Sequence, residues 1–170
     1  IPGAGSGLRI AGELIKNKTK NKTISVPNPT WGQQTFMFQK SGLNVVKHSY
    51  YDEKNNYLDF ENMYKDISNL KSGDALLLHG CCHNPTGADL SIDQWSQIAY
   101  LCKKIGILPF VDLVYQGLGI GINEDVLGIQ NLINIVPEAI LTVSSSKTFG
   151  VYRDRCGLFA VITDAQRVSG

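Results

Sequence analysis

The chain has 170 residues, of which 43% are hydrophobic and 18% charged, and its formal net charge is +1. A nearly neutral chain without a concentrated basic surface gives no reason to expect nucleic-acid or membrane-surface binding. Because no apolar run approaches the roughly 20 residues of a membrane span, a membrane-spanning protein is excluded, and a soluble chain with one core is expected.

The predicted elements alternate between strands and helices along the chain. Strands are predicted at 23–26, Asn44–Ser49, Ala75–His79, 108–111, 139–143 and 157–162, and helices at 33–41, 60–70, 91–105 and 126–135. The pattern Ser91-x-x-Gln94 is typical of a helix capping box. Apolar strands that alternate with helices predict an α/β fold with a mainly parallel sheet and helices on both faces.

The chain opens with a glycine-rich turn, Gly3-Ala4-Gly5-Ser6-Gly7, that leads into a helical pattern at 10–15. Backbone N–H groups exposed at a helix start can bind a phosphate. A dinucleotide-binding motif is disfavoured, because it would require glycine where the chain has Leu8 and because no strand precedes the turn.

Two loops carry further candidate residues. Trp31 follows the turn Asn28-Pro29-Thr30, and its flat indole could cover a cofactor ring; the alternative is a core aromatic. Asn84 lies in the loop 79–87 after an apolar strand, where ligands bind in open α/β sheets. Pro85 favours extended backbone at Asn84, so its amide could project into a site; the alternative is a simple turn.

Asp112 ends an apolar strand pattern, and Tyr115 follows three residues later. A carboxylate in this position could pair with the protonated nitrogen of a pyridine ring, and the phenol could donate to a ring oxygen. The alternative for Asp112 is a helix N-cap after the strand.

The run Ser144-Ser145-Ser146-Lys147 follows the apolar segment 139–143, and Arg155 comes eight residues after Lys147. A strand could deliver this amine to a cofactor site, where desolvation and nearby cations favour the neutral amine, which is a nucleophile toward an aldehyde. Pyridoxal phosphate (PLP) is the cofactor that needs such an amine. The alternative is an ordinary surface lysine.

Together these segments, in this order, resemble the class I aminotransferases of the aspartate and aromatic amino acid type, which are fold type I PLP enzymes. The matching segments are the glycine-rich turn, Asn28-Pro29-Thr30-Trp31, the block 79–87, Asp112 with Tyr115-Gln116-Gly117, and Ser144-x-Ser146-Lys147 with Arg155. The resemblance implies a ping-pong transfer of an amino group between an aspartate-like or aromatic amino acid and a 2-oxo acid. Another PLP reaction, such as decarboxylation or elimination, and a PLP-sensing regulator with an aminotransferase-like domain are the alternatives.

By this resemblance, Lys147 would form the internal aldimine with PLP and act as the acid–base at the substrate α-carbon. The other residues that would contact the cofactor are Asp112 at the pyridine nitrogen, Asn84 and Tyr115 at the ring oxygen, Trp31 over the ring, Ser144 and Arg155 at the phosphate, and Ser146, Gly5 and Ser6 nearby. His79 and His83 would be neighbours without a direct role.

Two departures from the family pattern fall within the predicted site. Gly5 stands where the family usually has a threonine, so either the Ser6 hydroxyl or the backbone alone would bind the phosphate. Gln34 stands where a histidine is common, so support for Asp112 from that side would be uncharged. A third departure, the more apolar stretch 118–122, is expected to affect surface contacts.

Full family members are more than twice as long, so residues 1–170 are expected to be the central part of the large PLP-binding domain, ending in a helix start at Ser169-Gly170. The N-terminal arm and the C-terminal small domain would be absent, and the fragment alone would be inactive. The full-length protein is expected to be a cytoplasmic homodimer. The four cysteines are expected to be buried free thiols in a reducing compartment. A metal site at Cys81, Cys82 and His83 is disfavoured, because successive residues on a strand alternate direction.

Overall fold

The computed structural model describes residues 1–163. The helix start predicted at 169–170 lies outside these described residues. Helices α1 to α6 span Ala4–Lys18, Gly32–Lys40, Phe60–Ser68, Ile92–Ile105, Leu127–Ile135 and Ser145–Thr148, and a 3-10 turn at Glu124–Val126 precedes α5. Among these helices, none is long and apolar enough to cross a membrane.

Strands β1 to β8 span Thr23–Asn28, Asn44–Ser49, Tyr51–Asp52, Tyr57–Leu58, Ala75–His79, Leu108–Leu113, Glu138–Ser144 and Gly157–Thr163. Six of them form one sheet in the order β2-β1-β5-β6-β7-β8, and β3 and β4 form a separate pair. All pairs in the large sheet are parallel except β7 with β8. The prediction of a mainly parallel α/β sheet is therefore confirmed, whereas the β3–β4 pair was not predicted.

The sheet is covered on both faces, as the alternating strand residues show. In β5, Ala75 and Leu77 pack with the buried residues of α1 and α2, whereas Leu76 and Leu78 pack with those of α3, α4 and α5. Successive side chains of a strand point to opposite faces, so an unbroken apolar strand supplies two cores at once. This explains why β5 is apolar from Ala75 to Leu78 instead of alternating with polar residues.

The carboxyl ends of the parallel strands meet at one edge of the sheet. His79 of β5 lies opposite Asp112 of β6, and the last residue of β7, Ser144, lies opposite Gly157 at the start of β8. Because β8 is antiparallel, its first residue and the loop before it lie at the same edge as the ends of β5, β6 and β7. Polar residues that are far apart in the chain are thereby brought to one side of the molecule.

Helix α1 begins earlier than the sequence predicted. The helix starts at Ala4, and Gly3 precedes it with a φ of 75°. Gly5 and Ser6 therefore lie in the first helical turn and not in a preceding loop. Gly3 provides the left-handed backbone that lets the chain enter the helix at this point, a conformation that other residues adopt at a cost.

The predicted capping box of α4 is confirmed. The Ser91 hydroxyl accepts a hydrogen bond from the Gln94 N–H at 3.2 Å, and the Gln94 side-chain oxygen accepts one from the Ser91 N–H at 2.8 Å. The helix ends at Ile105 and is followed by Gly106, whose φ of 85° is left-handed.

The apolar stretch 118–122 is at the surface, as predicted, and a single carboxylate organises it. Asp125 accepts hydrogen bonds from four backbone N–H groups, those of Gly117, Gly119, Ile120 and Gly121. The side chains of Leu118, Ile120 and Ile122 are exposed. Asp125 thus satisfies the backbone of a loop that buries little apolar surface of its own.

Two glycines allow α1 to approach its neighbours closely. A Cβ atom placed on Gly7 would overlap the hydroxyl of Thr142 in β7, and one on Gly12 would lie 2.5 Å from the hydroxyl of Ser41. A Cβ on Gly5 would meet only Met37 Cε at 3.8 Å, an ordinary contact. The helix is therefore tightly packed over β7, but its first turn has room for a side chain.

We predict that Gly7→Ala lowers the free energy of unfolding, whereas Gly5→Ala leaves it unchanged or raises it. Overpacking a tight contact costs about 1–3 kcal/mol, which exceeds the gain of up to about 1 kcal/mol in helix propensity. Urea denaturation of the two variants measures the difference. Equal stability of the two variants would contradict the close packing of α1 on β7.

Candidate active site

A cavity of about 320 Å³ lies at the carboxyl edge of the sheet. The predicted site residues that line it are Gly5, Trp31, Asn84, Asp112, Tyr115, Ser144, Ser146, Lys147 and Arg155. Ser6 does not line it, and its hydroxyl donates to the Gly3 carbonyl oxygen at 2.8 Å. The fold thus brings together residues from the start, middle and end of the chain.

Asp112 is a buried residue of β6, with 5% of its surface exposed. Its Oδ2 atom accepts a hydrogen bond of 2.7 Å from Gln34 Nε2. Its Oδ1 atom is buried and has no hydrogen-bond partner within residues 1–163. Burial raises the pKa of Asp112 to about 6, although the Gln34 hydrogen bond acts in the opposite direction. Asp112 does not cap a helix, so that alternative is wrong.

Gln34, on α2, also contacts two groups with its carbonyl end. Its Oε1 atom lies 2.6 Å from Thr30 Oγ1 and 2.9 Å from His79 Nε2. On the other side of the imidazole, His79 Nδ1 accepts a hydrogen bond of 3.2 Å from the Asn84 N–H. Burial lowers the pKa of His79 to about 4. The departure at Gln34 therefore places an uncharged side chain between Asp112 and a neutral histidine.

Lys147 lies on α6, a single turn that directly follows β7. Such a short helix has no apolar periodicity, so the sequence did not predict it. The Ser144 hydroxyl caps it by accepting from the Ser146 N–H at 3.2 Å, and the Thr148 hydroxyl donates to the Gln116 carbonyl oxygen at 2.8 Å. These bonds hold the lysine backbone at the cavity.

The Lys147 amine has an aromatic neighbour that the sequence analysis missed. Its Nζ atom lies 4.2 Å from the centre of the Tyr152 ring, which also lines the cavity. This is a cation–π geometry. A tyrosine five residues beyond a lysine is not a recognisable local pattern, so only the loop conformation reveals the contact.

Arg155 and the start of α1 form the cationic end of the cavity. Arg155 Nη1 donates to the Ser146 hydroxyl and to the Tyr152 carbonyl oxygen, both at 3.2 Å. The guanidinium lies against Gly3, since a Cβ atom built there would overlap it. The backbone φ of Arg155 is 53°, a strained conformation for a residue other than glycine. A guanidinium is thereby held beside the N–H groups that begin α1.

Three further predicted residues lie on the walls of the cavity. Asn84 and Tyr115 are partly buried. Trp31 is 39% exposed and precedes α2, so the alternative of a core aromatic is wrong.

His83 and two of the four cysteines are buried, and one cysteine differs from its prediction. His83 stacks on Tyr50, with ring centres 3.8 Å apart, and lies 4.4 Å from the His79 ring. Cys81 and Cys102 are buried free thiols, as predicted, and Cys82 is partly buried. Cys156 is exposed, which contradicts the prediction, because it lies in the loop before β8 and not in an apolar element.

Comparison with known proteins identifies relatives along the whole segment. A family model described as aminotransferase class I and II matches residues 1–168. The aromatic-amino-acid aminotransferase of Paracoccus denitrificans is 43% identical over 164 residues, which are 96% of this chain and 42% of that protein. The aspartate aminotransferase of Haemophilus influenzae is 38% identical over 167 residues, covering 98% of this chain and 42% of that protein. The chain spans less than half the length of these relatives.

Solved structures agree with these sequence matches. The aromatic-amino-acid aminotransferase of Burkholderia pseudomallei, covalently bound to pyridoxal phosphate, has a TM-score of 0.92 at 31% identity and covers 95% of this chain and 41% of its own. An aromatic amino acid aminotransferase with 3-indolebutyric acid has a TM-score of 0.91 at 41% identity, covering 95% of this chain and 41% of its own. The fold is therefore shared over nearly the whole segment.

We predict that Asp112→Asn stabilises the cofactor-free protein above pH 6. The native pKa of about 6 lies above the ordinary value of 3.8, so the native state keeps a proton that the unfolded state releases as the pH rises. Stability is therefore lost between these two pH values. A shift of about two units corresponds to about 3 kcal/mol as an upper bound.

Urea unfolding of both proteins across this pH range isolates the contribution of Asp112, because all other titrating groups are common to both. The variant should gain about 1–3 kcal/mol above pH 6, and the two proteins should converge below about pH 4. A constant difference at every pH would contradict a raised pKa for this carboxyl group.

Proposed function

The chain belongs to the class I and II aminotransferases, and on this basis we propose that it forms the cofactor-binding part of a PLP-dependent enzyme. The enzyme would transfer an amino group between an aspartate-like or aromatic amino acid and a 2-oxo acid by a ping-pong route. One observation carries the proposal: Lys147, Asp112 and Arg155 line a single cavity at the carboxyl edge of the sheet.

The residues present fit PLP, by the chemistry of the groups that surround the cavity. Asp112 Oδ1 is a buried acceptor without a partner in the described part of the chain, which suits a protonated ring nitrogen. Arg155 and the N–H groups at the start of α1 suit a phosphate dianion. When bound, PLP supplies an electron sink that stabilises negative charge at the substrate α-carbon.

We propose the following contacts between this chain and PLP. Asp112 would accept from the ring nitrogen, Asn84 and Tyr115 would bind the ring oxygen, and Trp31 would cover the ring face. The groups at the phosphate would be Ser144, Ser146, Arg155 and the backbone of Gly5. The Ser6 hydroxyl is already donated to Gly3, so the backbone at the start of α1 is the better candidate there.

Lys147 would bind the cofactor covalently and would then carry protons. Once the substrate amine has replaced it on the cofactor, its Nζ atom would accept the proton from the substrate α-carbon and deliver it to the cofactor. The short helix α6 holds its backbone through the Ser144 and Thr148 hydroxyl groups. The Tyr152 ring would stabilise the protonated Lys147 amine through a cation–π contact.

Other parts of the enzyme would complete the substrate site. We propose that residues 1–170 are the central part of the large domain and that a small domain and a second identical subunit supply the groups that grip substrate carboxylates. Large apolar side chains near Lys147 are exposed in this chain, Phe149 at 70% and Tyr152 at 55%, which supports a covering partner. Amino-group transfer from aspartate and from tyrosine to 2-oxoglutarate, measured with the full-length protein, tests the activity and the substrate class.

We further propose a cytoplasmic location. All four cysteines are free thiols, and such thiols persist in reducing compartments.

Lys147→Ala should abolish covalent attachment of PLP. After incubation with PLP and borohydride reduction, mass spectrometry of the wild type should find one phosphopyridoxyl group on the peptide that contains Lys147. In the full-length protein, turnover should fall by about 10²- to 10⁴-fold or more, because the proton carrier is lost. Lys103→Ala, an exposed lysine on α4, is the matched control and should behave as the wild type. Specific labelling at another lysine would disprove the assignment.

Arg155→Met should weaken the binding of PLP by about tenfold to a hundredfold, the value of a charge-assisted hydrogen bond. Pyridoxal, which lacks the phosphate, should bind the variant and the wild type equally. Equilibrium titration with both compounds gives the comparison, and Arg153→Met, an exposed neighbour outside the cavity lining, is the control. If both compounds lost affinity to the same extent, Arg155 would not be a phosphate ligand.

A further inference from the structure

Gln34 is a buried carboxamide, 1% exposed, that bridges Asp112 and His79. An amide has a donor end and an acceptor end, so a bridge of this kind has a direction. The direction decides whether Asp112 receives a hydrogen bond or faces a second oxygen atom. One group in this network has a role that its chemistry fixes, the backbone N–H of Asn84.

The Asn84 N–H can only donate, so His79 Nδ1, 3.2 Å away, must be the acceptor. A neutral imidazole with an unprotonated Nδ1 carries its hydrogen on Nε2. His79 Nε2 therefore donates to the Gln34 atom that lies 2.9 Å from it, and that atom must be the carbonyl oxygen. The backbone of Asn84 thus sets the tautomer of His79, and the tautomer sets the orientation of Gln34.

The Thr30 hydroxyl, which can donate or accept, is compatible with this orientation, since it donates to Gln34 Oε1 at 2.6 Å and its oxygen lies 3.3 Å from His79 Nε2. With the oxygen held by these two donors, the NH₂ group of Gln34 faces Asp112 Oδ2 at 2.7 Å. Reversing the amide would place an oxygen against the carboxylate and a donor against the His79 N–H, which would break both contacts. The orientation is therefore enforced from both ends.

On the basis of the proposed PLP site, we propose that Gln34 is a positioning residue. Gln34 keeps Asp112 ionised and occupies its Oδ2 atom, so that Oδ1 is left as the acceptor for the protonated ring nitrogen. Gln34 does this as a donor that never titrates. The chain of hydrogen bonds runs in one direction from the Asn84 N–H through His79 and Gln34 to Asp112. Asn84 would thus have two roles, because its side chain would bind the ring oxygen and its backbone N–H begins this series of hydrogen bonds.

The proposal has a consequence that a purely structural role would not have. Without the Gln34 donor, the buried carboxyl group of Asp112 would hold its proton and lose its charge near neutral pH. A neutral carboxyl group no longer attracts a protonated ring nitrogen. Loss of Gln34 should therefore weaken the binding of a cofactor with a ring nitrogen and spare a cofactor without one.

The test compares PLP with its carbocyclic analogue, in which a C–H group replaces the ring nitrogen. The dissociation constants of both compounds are measured by equilibrium titration with the wild type and with Gln34→Met, which has a similar length and no donor. We expect Gln34→Met to weaken PLP by about tenfold to a hundredfold and the carbocyclic analogue by less than about threefold. Gln33→Met, an exposed neighbour on α2, is the matched control and should change neither.

Two other results would overturn the role of Gln34. Equal weakening of both compounds, or of neither, by Gln34→Met would overturn the role of Gln34 while leaving the PLP site intact. If the wild type itself bound both compounds equally, the pairing of Asp112 with the ring nitrogen would fail, and this inference would fail with it. Asp112→Asn should remove the preference for PLP and serves as the positive control.

A second measurement needs only the wild type, should Gln34→Met fail to fold. The ¹⁵N chemical shifts of the His79 ring report which nitrogen carries the hydrogen. We expect a protonated Nε2 and an unprotonated Nδ1. The opposite tautomer would reverse Gln34 and overturn the proposal.

Discussion

The buried carboxyl group of Asp112 is the constraint on which the rest of the site depends. Burial makes its charge unfavourable, so the chain supplies a donor to one oxygen, and we propose that the other oxygen accepts from a cationic partner. Gln34 is that donor, and it can act only because His79, at the end of the adjacent strand, is held in one tautomer. Burial of Asp112 thus lowers folding stability but places a defined charge in the cavity.

The part of the cavity around Arg155 depends on close backbone approach instead of burial. Gly3 leaves space for the Arg155 guanidinium, and Gly7 lets α1 pack on β7 so that the helix start reaches the same edge of the sheet. The antiparallel β8 returns the chain to that edge, which places Arg155 next to Ser146. Arg155 and the N–H groups at the start of α1, which are far apart in the sequence, are therefore neighbours at one end of the cavity.

Much of the site could be predicted because polar residues follow apolar strands directly. Asn84, Asp112 and Lys147 each come at or just after a strand end, and in a parallel sheet such positions share one edge. Ser6 shows the limit of this reasoning, because the two residues before it, Ala4 and Gly5, line the cavity and it does not. Which face of a helical turn a residue occupies depends on where the helix begins, and that start was predicted too late.

The sequence by itself determined the alternating α/β architecture and the chemical identity of the site residues, since apolar periodicity and residue type are local properties. Only the tertiary structure decided which groups act on one another. Gln34 and His79 are 45 residues apart, and Gly3 and Arg155 lie near opposite ends of the chain. Hydrogen-bond direction, charge burial and close approach are properties of pairs in space, and no local pattern in the chain encodes them.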